Sequence, residues 1–178
     1  MESKLVKIGK QISFLLRHST KYINEHGWAN ISDILNETSI TREELNEIVK
    51  TNDKKRYEIS SDGLQIRAVQ GHSVTVDIGF ETKIPPSKLY HGTAVHFVGS
   101  IMKEGITKRS RLYVHLSETK DIAREVGKRH GHPAVLVIDA NAMYNDGITF
   151  FQSKNGVWLT EYVDPKYITF NEDDKNKQ

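Results

Sequence analysis

The chain has 178 residues, 37% hydrophobic and 27% charged, a balance that supports a folded core and excludes a disordered polymer. Lysine and arginine number 25 against 23 aspartate and glutamate, a formal charge of +2, which excludes a polybasic binder and makes any anion site local. Cysteine is absent, so disulfides, thiolate metal centres and cysteine nucleophiles are excluded.

The first segment is helical. Leu5, Ile8, Ile12, Leu15 and Leu16 form one apolar stripe, predicting a helix over 3–18. Phe14 and Arg17 fall away from that stripe, and a phenylalanine there predicts a second contact surface with burial around Arg17. Asn30 is placed to cap a helix through Ile31–Leu35, and Thr41-Arg42-Glu43-Glu44 reads as a capping box ahead of Leu45, Ile48 and Val49. The period then changes to two. Tyr57–Ser60 and Leu64–Val69 flank Ser61-Asp62-Gly63 as a hairpin, with Leu64, Ile66 and Ala68 on one face and Arg67 on the other. Val74, Val76 and Ile78 resume the alternation. Helices followed by a hairpin is the order of a winged helix.

Pro85-Pro86 is the expected boundary, since adjacent prolines forbid helix and favour an extended linker. It separates a lobe of residues 1–84 from one of 85–178. Beyond it, Leu89-Tyr90-His91 reads as a strand ending at Gly92-Thr93, and Val95–Glu104 as a helix closed by Gly105. Leu112–Leu116 is a strand, Ser117 a helix cap, and Ala134–Ile138 a central strand. Asn155-Gly156 is a hairpin turn between Ile148–Phe151 and Val157–Leu159, and the polar tail Asn171–Gln178 is expected to fray. No apolar run approaches the roughly 20 residues that span a bilayer, so a soluble, cytoplasmic monomer is expected.

Three places pair an arginine with a second donor or a glycine, as a phosphate dianion requires: Arg17-His18, Arg67 ahead of Gln70-Gly71-His72-Ser73, and Arg129 in Lys128-Arg129-His130-Gly131. For any one of them a solvated side chain or a surface ion pair is the plain alternative. His91-Gly92-Thr93 and His115 with Ser117 offer a second set, in which a glycine admits close approach and a helix N-terminus attracts anions. A turn glycine, a core histidine and a simple cap are equally compatible with those residues. The eight histidines lack metal-ligand spacing, so no metal site is expected, and there is no GxGxxG or Walker loop.

Seven segments together resemble one family, the KptA-type RNA (tRNA) 2′-phosphotransferases. They are Phe14-Leu-Leu-Arg-His18, Gly27-Trp-Ala29, Ile66–Ser73, Leu89-Tyr-His-Gly-Thr93, Val114-His-Leu-Ser117, Gly127-Lys-Arg-His-Gly131 and Asn155-Gly-Val-Trp-Leu-Thr160. The resemblance implies an α+β protein, with a winged-helix RNA-binding lobe followed by a mixed β lobe of ADP-ribosyltransferase type that binds NAD⁺. It implies removal of an internal 2′-phosphate from RNA, as at a tRNA splice junction. The RNA phosphate first displaces nicotinamide to give an ADP-ribosylated RNA; ADP-ribose 1″,2″-cyclic phosphate then leaves.

By the same resemblance the essential set falls on Arg17, His18, Arg67 and Arg129. Arg17, His18 and Arg67 dock the phosphate, and Arg129 serves the second step. His18 is alternatively a proton donor at the leaving oxygen. His91 and His115 match the family's two NAD⁺-lobe histidines, Val157 takes the place where related transferases carry a glutamate, and Gly92, Thr93 and Ser117 add NAD⁺ contacts. An anionic nucleophile needs no carboxylate to activate it. Two rivals remain at this level: an ADP-ribosyltransferase acting on terminal nucleic-acid phosphates or protein, and a winged-helix regulator without catalysis. Eleven basic and eleven acidic residues over positions 1–80 weigh against the regulator.

Overall fold

A computed structural model of the chain describes residues 4–170; the tail at Asn171–Gln178 lies outside the described residues. The fold mixes helices with small antiparallel sheets. Two compact units emerge, one reaching to Gly79 and including Ser110–Leu112, the other comprising Phe80–Arg109 and the chain from Tyr113 onward. The division falls just ahead of Pro85, because Thr82 bridges Phe151 and Lys83 N–H donates to the Phe150 carbonyl within the second unit.

In the first unit, helix α1 (Lys4–His18) buries Ile8, Ile12, Leu15 and Leu16 along the expected stripe. Strand β1 (Trp28–Asn30) precedes helices α2 (Ile31–Thr38) and α3 (Arg42–Thr51), then strands β2 (Tyr57–Ile59) and β3 (Gln65–Ala68). Thr41 closes the capping box: its hydroxyl accepts from Glu44 N–H at 3.2 Å and the Glu44 carboxylate accepts from Thr41 N–H at 3.0 Å. Strand β3 lies between β1 and β2, all antiparallel, which sets Arg67 opposite Trp28 on one side and Glu58 on the other.

Three local expectations fail here. Leu64 is 66% exposed while Ile66 and Ala68 are fully buried. The turn claims it, through Leu64 N–H donating to the Asp62 carboxylate at 2.9 Å, and pairing starts only at Gln65. Val74, Val76 and Ile78 are half-buried and alternate with exposed Thr75 and Asp77, yet they join no sheet. Phe14 is 58% exposed, so the burial around Arg17 comes from elsewhere.

The second unit is built on strand β4 (Lys88–Ala94), followed by helix α4 (Val95–Glu104), β5 (Ile106–Thr107), β6 (Val114–Leu116), α5 (Lys120–Gly127) and β7 (Pro133–Asp139). Helix α6 (Ala140–Asn145), β8 (Phe151–Gln152), β9 (Trp158–Thr160), β10 (Tyr162–Val163) and β11 (Ile168–Thr169) complete it. The apolar strand β7 is central, between β4 and β11; β9 lies between β6 and β8; and β5 pairs with β10. Leu89, Leu136, Ile138, Met143, Phe150 and Trp158 form its core.

Strand β4 does not end at Gly92. It continues to Ala94 in register with β7, pairing Gly92 with Val135. A Cβ at Gly92 would stand 1.7 Å from the Ala123 carbonyl oxygen, and one at Gly127 would stand 2.7 Å from that of Thr93. The glycine admits helix α5. Ser117 is likewise no helix cap. Its backbone exchanges hydrogen bonds with Tyr90, at 2.8 and 2.9 Å, while the Thr119 hydroxyl caps α5 by accepting from Ile122 N–H at 3.3 Å. The Ser117 N–H is therefore committed to β4.

Candidate functional site

Arg17 is the last but one residue of α1, and the loop Gln70–Ser73 folds back over it. Ser73 N–H donates to the Arg17 carbonyl at 3.0 Å, and His18 Nδ1 shares a hydrogen bond with the Ser73 hydroxyl at 2.8 Å. Gly71, at φ +90, makes the reversal; a Cβ there would lie 3.5 Å from Arg17 Nε. Beneath the loop, Arg17 Nε and Nη2 are buried, and no acceptor among the described residues reaches them. Burial pulls this guanidinium down to about 10, with Arg56 and Arg111 adding to the shift and Tyr57 opposing it. A buried cation without its hydrogen bonds costs several kcal/mol, on the order of one to three per unmade bond.

His72 is 2% exposed and its Nε2 also lacks a partner. Burial first, then the charges of Arg17, His18 and Arg67, hold it at about 4, so it is neutral at physiological pH. His18 is lowered too, by burial and by Arg17 and Arg111. These effects place Arg17, His18, His72, Arg67, Arg56 and Arg111 in one electrostatic neighbourhood of the first unit. Arg111 reaches it through Ser110–Leu112, where Leu112 N–H donates to the His72 carbonyl at 3.2 Å.

Arg67 is held differently. Its Nε donates to a Glu58 oxygen at 2.9 Å and its Nη2 forms an ion pair with the same oxygen at 2.8 Å, its Nη1 donates to the Ile78 carbonyl at 3.3 Å, and its guanidinium lies 4.4 Å above the Trp28 ring.

The second unit carries a pair of histidines on neighbouring strands. His91 Nδ1–H donates to the His115 carbonyl at 3.2 Å. That bond fixes the tautomer and leaves Nε2 as an acceptor. Burial outweighs it in lowering His91, with the charges of His130 and Arg109 adding to the fall. Strand alternation turns Gly92 toward α5 and His91 and Thr93 to the opposite face. Glu118, the carboxylate nearest in sequence, is engaged by Trp158 Nε1 at 2.9 Å and Gln152 Nε2 at 3.0 Å. Val157 is half-buried between the Asn155-Gly156 turn and β9.

The profile of a family described as "RNA 2'-phosphotransferase, Tpt1 / KptA family" matches residues 3–162. The chain belongs to this family. Full-length relatives named "Probable RNA 2'-phosphotransferase" include one from Acaryochloris marina, 43% identical over 177 residues, covering 94% of this chain and 98% of its own. One from Pectobacterium atrosepticum is 46% identical over 178 residues, covering 94% and 99%. One from Nostoc punctiforme is 44% identical over 176 residues, covering 94% and 97%.

Of the expected Tpt1/KptA set, Arg17, His18 and Arg67 share the first unit's cationic cluster. Arg129 belongs to the second unit, exposed on the single turn Lys128–His130 that follows α5. His91 and His115 stand together, and Thr93 is 6% exposed. Sequence reasoning passed over Arg111 and Glu58, and used His72 only as a neighbour of Arg67. Arg111 carried a faint signal, an arginine two residues before the Tyr113-Val114-His115 run. Glu58 carried none, since its meeting with Arg67 depends on sheet register. Among the described residues no three histidine, aspartate or glutamate side chains group to hold a metal, and no helix is long and apolar enough to cross a membrane.

Proposed function

We propose that this chain removes an internal 2′-phosphate from RNA, of the kind left at a tRNA splice junction, using NAD⁺ as co-substrate. The observation that carries the reading is Arg17, a buried guanidinium with two unpartnered nitrogens beside His18, His72 and Arg67. An oxyanion removes that cost by accepting both bonds, and a phosphate dianion also answers the surrounding positive charge. Family membership names the phosphate as one on RNA. The order α1-β1-α2-α3-β2-β3 with β3 central supports a winged-helix lobe, and the second unit is read as the ADP-ribosyltransferase-like lobe.

In this reading Arg17 and Arg67 dock the 2′-phosphate as forked donors. His18, with Nδ1 engaged by Ser73, offers Nε2 to a phosphate oxygen or to the leaving 2′-oxygen. The residues of the second unit fit a bound NAD⁺. His91 is neutral and presents an acceptor nitrogen, suited to a ribose hydroxyl, and the adjacent carboxylate of Glu118 is already satisfied. His91, His115 and Thr93 would hold the dinucleotide, with Ser117 and Val157 beside them. Bound there, NAD⁺ supplies an electrophilic ribose carbon bearing a good leaving group and a neighbouring hydroxyl that takes the phosphate. Arg129 is assigned to stabilising charge on phosphorus during that transfer.

Incubation with a 2′-phosphorylated oligoribonucleotide should convert it to the 2′-hydroxyl form, release nicotinamide, and do so only when NAD⁺ is present. Nicotinamide release with a 5′-phosphorylated acceptor but not with the 2′-phosphate would replace this reading with terminal-phosphate modification. No turnover with any acceptor would remove it.

A further inference from the structure

Arg67 and Arg17 are both forked cations near His72, but their surroundings are opposite. Arg17 has unpartnered nitrogens; Arg67 is clamped from three directions. Glu58 faces Arg67 across the β2–β3 ladder, at side-chain exposures of 21% and 12%. A single carboxylate oxygen accepts from Nε–H and pairs with the charge at Nη2. The flat Trp28 ring, placed by the β1–β3 register, sets the plane of the guanidinium, and the Ile78 carbonyl takes a bond from Nη1 at 3.3 Å. The Nε–H and one Nη1–H are thereby used, Nη2 is held by the ion pair, and N–H groups on the terminal nitrogens stay available to an acceptor.

A long arginine side chain left to itself samples many rotamers, and fixing it costs conformational entropy. Here that cost is met by the fold before any ligand arrives. The carboxylate also cancels one of the positive charges that crowd Arg17, His18 and Arg111, so Arg67 is not driven out of the cluster when no anion is present. A cross-strand ion pair that served stability alone would have no reason to sit beside His72, whose imidazole feels the Arg67 charge.

From this geometry we infer that Glu58 is a positioning residue of the phosphate site, orienting Arg67 so that its free N–H groups read the 2′-phosphate. The inference rests on the function proposed above. It adds a residue that acts through another and never touches the RNA.

The test is equilibrium binding of a fluorescent oligoribonucleotide carrying one internal 2′-phosphate, compared with the same oligomer bearing 2′-hydroxyl, without NAD⁺. The proteins are the full chain, Glu58→Gln, Arg67→Met and the double variant. Glutamine keeps the size of the side chain and removes its charge. Glu58→Gln should reduce the preference for the phosphorylated oligomer about tenfold, the lower end for supporting residues around a site, and leave affinity for the 2′-hydroxyl oligomer unchanged. The double variant should match Arg67→Met, because nothing remains for Glu58 to orient.

Full preference in Glu58→Gln would overturn the inference, as would a double variant well below Arg67→Met. If Glu58→Gln does not fold, Glu58→Asp replaces it: the carboxylate is kept but drawn back by one methylene, so a lowered preference for the phosphorylated oligomer supports the inference and an unchanged preference refutes it. A wild-type chain that binds both oligomers equally would instead refute the functional reading itself.

Discussion

The two units handle polar groups in contrasting ways. In the first, Arg17 and His72 bury nitrogens that nothing in the described chain satisfies. In the second, the comparable groups are spoken for: His91 donates to His115, Ser117 is paired with Tyr90, and Glu118 holds Trp158 and Gln152. Close packing at Gly92 and Gly127 leaves no slack between β4 and α5. One region is held short of its own hydrogen-bonding minimum, the other sits at it. Stored cost of the first kind accompanies function and is released when the missing partner binds.

The largest effect should come from removing that cost. Arg17→Met should lower phosphate transfer about 10²- to 10³-fold, as for loss of one positioned donor, while raising unfolding stability by about 1–3 kcal/mol in denaturant titration. A variant both inactive and less stable would break the contrast between the units. The second unit should behave oppositely. Gly92→Ala, with its Cβ 1.7 Å from the Ala123 carbonyl, should cost roughly 3 kcal/mol or more by forcing α5 off the sheet, read as a fall in thermal midpoint.

A smaller effect follows from His72. Its folded value near 4 lies below the ordinary 6.5, so the unfolded chain binds the extra proton between those limits. Stability should therefore be complete above pH ~6.5 and fall as the pH drops toward 4, by up to about 3 kcal/mol. In His72→Gln the slope across this window should flatten. The smallest change separates the two candidate caps of α5. Thr119→Ala should cost about 1 kcal/mol, whereas Ser117→Ala, which leaves its backbone pairing intact, should cost a few tenths.

Much of this was legible in the order of residues. The α1 stripe, the Thr41 box and the apolar run of β7 each depend on neighbours within a turn or two, and each stands where local reasoning placed it. Arg17-His18 was legible for the same reason, as the end of a helix turned away from its own core. What the chain order concealed is settled by distant partners. Gly92 passes for a turn because its collision partner lies in α5, and Ser117 resembles a cap until β4 is paired with it. Phe14 suggests burial, but it is the loop Gln70–Ser73 that covers Arg17. The capture of Arg67 by Glu58 and Trp28 requires the strand order β1-β3-β2, which no spacing along the chain discloses.

The tripeptide Ser110–Leu112 has a genetic consequence. It belongs to the first unit although the residues on both sides belong to the second; its Leu112 N–H donates to the His72 carbonyl, and its Arg111 charge acts on Arg17 and His18. The chain thus crosses between units at 79–80, 109–110 and 112–113, and a gene fragment ending near Pro85 would encode the first unit without Arg111. The first unit therefore cannot be inherited or exchanged whole as one uninterrupted stretch of gene. Recombination that grafted it elsewhere would have to carry those three codons with it.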